Sequence, residues 1–118
     1  MNELFPTYKE IATALLCLIY SKGGVLQPAE TYEPLADFFD LTSRARTISR
    51  GEHFGLDNHP QLAWHCLVQW GRRDLVKAGL IAQQERGIWR LTPKGKNEAS
   101  LSIEKHKHLD FNKRSGRK

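Results

Sequence analysis

Apolar residues recur along the chain at helical spacing in three places and at strand-like spacing in one. Tyr8, Ile11, Leu15, Leu18 and Ile19 share one face, which predicts an amphipathic helix from Tyr8 to Ser21. Thr7 precedes it and Glu10 lies in its first turn, at the T-x-x-E spacing where each side chain satisfies the other's backbone N–H. Gly23 and Gly24 stop it, because a helix C-terminus favours residues that tolerate positive φ. A shorter helix is expected from Thr31 or Tyr32 to Phe39, burying Leu35, Phe38 and Phe39. Pro34 fits there only within the first turn, where no backbone donor is missed. Thr42 or Ser43 offers a cap for a short third helix through SRARTIS.

The segment RGEHFGLDNHP then reads as a loop, closed by a proline that suits a helix's opening turn. A fourth helix is expected from Pro60 to Ala78. On a wheel of about 100° per residue, Trp64, Leu67, Val68, Gly71, Leu75 and Ala78 form its inner stripe. Cys66, Gln69, Arg73 and Lys77 take the opposite side, with His65 and Arg72 on a flank. After Gly79, LIAQQE and IWRLT read as two short strands around Arg86-Gly87, a β-hairpin. Thr92 and Pro93 restart a helix that reaches Glu98 or Ala99. The fold class is therefore mainly α with a small β-hairpin, a winged helix-turn-helix. The fourth helix is the recognition helix and the hairpin the wing. Residues 1–100 form that domain, and 101–118 read as a basic tail or linker, a frayed helix at most.

Composition narrows the class. The chain has 118 residues, 40% hydrophobic and 26% charged, as an ordinary globular domain has. Cys17 and Cys66 form neither a disulfide framework nor a C-x-x-C pair, which points to a reducing, cytoplasmic setting. The longest apolar run is too short for a membrane span, and the acidic N-terminus does not resemble a signal peptide. Charge is polarised. Residues 1–40 carry two basic and six acidic side chains, residues 41–100 ten and five, and residues 101–118 six and two. A basic second half suits a polyanion, and nucleic acid is the natural one.

The run WGRRDLVKAGLI…RGIWRLTPKG resembles the N-terminal winged-helix domain of Mrr-type restriction proteins. Those domains carry a similar W-A-x-x-x-L-x-K-A-G-L helix end, an R-G-x-W wing and an L-T-x-x-G restart. The likeness extends over roughly residues 7–100, including the GG end of the first helix and the SRG segment at 49–51. Gly71 stands where the family usually has alanine, so the helix there is either less stable or more closely packed. The resemblance implies DNA binding in modification-dependent restriction, with cleavage by a separate nuclease domain in cis or in trans. The carboxylate–lysine strand arrangement of such a nuclease has no place in this chain, so no catalytic residue is expected.

Recognition-helix geometry makes Asn58, His59, Gln61, His65 and Gln69 candidates for base contact. Arg44, Arg46, Arg50, Arg72, Arg73, Lys77, Arg86 and Arg90 are candidates for the DNA backbone. Trp70 and Phe54 are candidates for packing on a modified base, methylated adenine before methylcytosine. Trp89 belongs to the core. The plainer alternatives are a solvated helix face, a hairpin charged for solubility, and arginines spent on surface ion pairs. His53, His59 and His65 repeat every six residues, but metal ligands on a helix need i, i+3 or i+4 spacing, so no metal or other cofactor is expected. A stand-alone transcriptional regulator and a protein-binding winged helix remain as other functions for the same fold.

Overall fold

A computed structural model describes residues 4–55, 61–83 and 87–111. Among them are six α-helices, α1 (Tyr8–Ser21), α2 (Tyr32–Phe38), α3 (Ser43–Thr47), α4 (Arg50–Phe54), α5 (Ala63–Lys77) and α6 (Pro93–Lys105), and a small antiparallel sheet of β1 (Val25–Leu26) and β2 (Trp89–Arg90). This is a mainly helical, winged-helix-like architecture.

The α1 helix is the central element. Thr7 Oγ1 accepts from the Glu10 backbone N–H at 3.2 Å, and Glu10 accepts from the Thr7 N–H at 2.9 Å, closing the expected box. Every residue from Ile11 to Ile19 except Thr13 is buried, because α5 and α6 both pack on this helix. The α1–α5 crossing explains Gly71. A Cβ there would lie 3.3 Å from Ile11 Cγ2 and 3.5 Å from the Ala12 backbone, so the residue marks close packing. Burial pushes the Cys17 thiol up to about 12, with the Asp110 charge adding to the effect.

The sheet departs from the simple hairpin expected. Its middle is β2, paired through Val25↔Arg90 and Leu26↔Trp89 with β1, which directly follows α1. Ile81 bridges Leu91 on the other side, and Ala82 N–H donates to the Arg90 carbonyl at 2.8 Å. Among the described residues the first expected strand shows only that bridge, while a two-residue strand far upstream completes the sheet. Trp89 is in the core, as expected.

Three further differences matter for the site. RGEHF is the helix α4 rather than a loop, capped by Ser49 Oγ, which accepts from Glu52 N–H at 3.1 Å. Cys66, expected outward, is 3% exposed, because α3 and α4 cover the first half of that side of α5; Ala78, expected inward, is exposed. The helix α6 runs on to Lys105, and Leu109 and Phe111 are buried in the core against Phe38, so residues 101–111 belong to the packed body.

Candidate nucleic-acid interface

The start of α5 is tied to α4 by backbone. Ser49 and Leu62 form an antiparallel bridge, and Arg50 N–H donates to the Gln61 carbonyl at 2.6 Å. The helix begins at Ala63, three residues later than expected. Asn58 and His59 therefore precede it, and together with Arg86 they lie outside the described residues.

Gln61, His65 and Gln69 are brought together around Tyr32 of α2. The His65 ring stacks on Tyr32 with centroids 3.8 Å apart and planes 11° apart. Gln69 Nε2 donates to the Tyr32 hydroxyl at 2.9 Å, and Gln61 Nε2 donates to Gln69 Oε1 at 3.4 Å. Burial holds the His65 imidazole below its usual pKa, against an opposing pull from Glu33.

Trp70 and Phe54 also meet, at 5.5 Å between centroids, and Tyr8 joins them edge-on to Trp70 at 5.6 Å. Both Trp70 and Phe54 are half-buried, while Tyr8 is 46% exposed. Helical spacing had assigned Tyr8 to the buried face of α1. It sits instead at that face's edge, where α1 begins and Trp70 remains open. His53 continues the aromatic packing from Phe54 inward to Phe5, which stacks over Trp64.

The cations divide by what they touch. Arg73 and Lys77, at i and i+4 on the uncovered half of α5, are exposed. Arg72 lies over the Trp89 ring at 5.8 Å, linking α5 to the sheet. Arg90 is exposed on β2. Arg50 and Arg73 are close enough to Cys66 to lower its thiol pKa, although burial outweighs them and raises it. The Nε atoms of Arg50 and Arg72 are buried without a hydrogen-bond partner. Arg44 makes one exposed ion pair, with Glu52 at 3.5 Å. Arg46 takes the plainer alternative of an ion pair. Its guanidinium donates to Glu33 at 3.1 Å, Asp37 at 2.9 Å and the Leu41 carbonyl at 3.0 Å, so it clasps α3 to α2.

Among the described residues, no group of three His, Cys, Asp or Glu side chains is placed to hold a metal ion. No helix among them is long and apolar enough to cross a membrane.

Residues 8–100 match the family model of the Mrr N-terminal domain. The chain belongs to that family. No curated protein and no solved structure gives a significant match. Membership associates the chain with Mrr-type restriction systems and a DNA-related role. The packed body of this Mrr N-terminal domain continues past the matched region, through the end of α6 to Phe111.

Proposed function

We propose that this Mrr N-terminal domain is the recognition module of a restriction system. It binds duplex DNA through the outer side of α5 and the adjoining sheet, and reads a modified base, methylated adenine before methylcytosine. Cutting belongs to a nuclease domain supplied in cis or in trans, in the cytoplasm.

The observation that carries the reading is one juxtaposition. The half-open aromatic group Tyr8, Phe54 and Trp70 lies beside Arg73 and Lys77, which follow Trp70 by three and seven residues on α5. Exposed cations neutralise phosphates without regard to sequence, whereas an aromatic face favours a methyl group over bare polar edge. Arg50 and Arg72 are half-buried beside these cations and are further proposed contacts to the DNA backbone. Arg44 can exchange its weak exposed pair for a phosphate at little cost. Arg86 and Arg90 supply the wing's contribution. Asn58, His59, Gln61, His65 and Gln69 remain the proposed base contacts.

The test is a titration of fluorescent duplexes that differ only in one base, carrying methylated adenine, methylated cytosine or neither, at about 50 mM salt, where phosphate contacts are strong. The reading expects binding to all three, tightest for the methylated-adenine duplex. Absence of binding to every duplex at that salt defeats it. Equal affinity for all three leaves DNA binding and removes modification reading.

A further inference from the structure

Tyr32 opens α2, more than thirty residues from the helix it touches, and three contacts fix it there. Its carbonyl accepts from the Trp64 indole Nε1–H at 2.8 Å, which anchors its backbone to the buried face of α5. Its ring lies flat against His65. Its hydroxyl accepts from the Gln69 amide at 2.9 Å in exposed surroundings. The phenol is thus immobilised at the surface of the proposed recognition helix rather than sealed in the core.

A phenol carries one donor and can also accept. With Gln69 occupying an acceptor site, the Tyr32 O–H proton is left for an acceptor outside this pair. The Gln69 amide keeps a second N–H, and its oxygen, already facing Gln61, keeps a lone pair. The cluster therefore presents a fixed set of donors and acceptors whose rings and amides are already ordered. Ordering before contact lowers the entropic cost of binding. Base pairs differ in the major groove by their pattern of donors and acceptors, so a fixed polar set of this kind discriminates between them.

We infer that Tyr32 is a specificity-determining residue of the interface. It orients Gln69 and His65, and it donates its own hydroxyl proton to an acceptor on a base edge. The inference rests on the DNA-binding reading proposed above and names a residue which that reading did not include.

Tyr32→Phe isolates the hydroxyl, because the ring, its stack on His65 and the carbonyl bonded to Trp64 all remain. Wild type, Tyr32→Phe and Gln69→Ala are titrated against a panel of duplexes covering single base-pair changes across one site, each at two salt concentrations. Thermal melts confirm that both variants are folded. The expected result is that the spread between tightest and weakest duplex narrows about fivefold or more in Tyr32→Phe. Gln69→Ala narrows it at the same base-pair position, while affinity for the weakest duplex and the salt dependence stay as in wild type. An unchanged spread in Tyr32→Phe overturns the inference and leaves DNA binding intact. So does a uniform loss across the panel with a shallower salt dependence, which assigns the hydroxyl to phosphate. Wild-type protein that binds every duplex equally overturns it too. Wild type that binds none removes the DNA-binding reading and this inference together.

Discussion

Gly95 offers the sharpest test of how the wing is joined to the body. It lies in the first turn of α6, directly over the chain leaving α5. A Cβ at this position would collide with the Leu80 carbonyl oxygen and would lie 3.0 Å from the Leu80 carbonyl carbon. The same few residues carry the junction's hydrogen bonds. Thr92 N–H donates to the Leu80 carbonyl at 3.0 Å, Thr92 Oγ1 to the Gly79 carbonyl at 2.6 Å, and Lys94 Nζ to the Ala78 carbonyl at 3.1 Å. Relieving the collision in Gly95→Ala means pushing α6 off the end of α5 and stretching at least two of these. Overpacking costs about 1–3 kcal/mol, and each hydrogen bond contributes about 1 kcal/mol. Alanine returns at most about 1 kcal/mol of helix propensity. The net loss is about 2–4 kcal/mol, which lowers the melting temperature by about 8–20 °C for a domain near 100 residues. Circular dichroism melts and urea titrations of wild type and variant measure it. A variant melting within about 3 °C of wild type refutes the packing argument, because the junction would then be loose enough to absorb a methyl group.

Other expectations follow from the same contacts. Arg73→Ala and Lys77→Ala should each weaken duplex binding across all sequences and reduce the salt slope by about one. Arg46→Ala should leave that slope unchanged yet lower the melting temperature, since its guanidinium is spent on α2. Burial holds folded His65 below its unfolded value of 6.5, so the unfolded chain takes up the proton first as pH falls. Its contribution to stability is therefore full above 6.5 and is lost on acidification towards the lower folded value. Urea midpoints between pH 7 and 5 should fall less steeply in His65→Gln than in wild type. Cys17 and Cys66 are buried with raised thiol pKa values, so native protein at pH 8 should resist thiol reagents that react fully once it is unfolded.

Local signals in the chain were enough for α1, the body of α5 and the start of α6. Their caps and apolar stripes are encoded within a few residues, as in Thr7–Glu10 and Thr92–Pro93. The helix α4 is not legible in the sequence, although Ser49 stands three residues before Glu52, the spacing of its cap, because five residues are too few to show a period. At two residues, β1 is shorter still, and its partner lies more than sixty positions away. Cys66 shows what a wheel lacks: it gives a direction from the axis and not the helix that comes to cover it. Leu109 and Phe111 were hidden in a basic stretch whose composition reads as solvated. At the candidate site, the meeting of Trp70 with Phe54 was foreseen only as a shared role. Tyr8 and Tyr32 carried no signal, since their importance arises from contacts between helices far apart in sequence.

The three tryptophans allow the central claim to be read directly. Trp64 and Trp89 are 2% and 6% exposed, whereas Trp70 is half-open between Tyr8 and Phe54. In an ¹⁵N-labelled sample titrated with a methylated-adenine duplex, each indole N–H gives its own resonance. The account predicts the largest shift at Trp70, a smaller one at Trp89 beneath Arg72, and little change at Trp64, whose N–H is held by the Tyr32 carbonyl. A Trp70 signal that stays fixed while the duplex binds would contradict it.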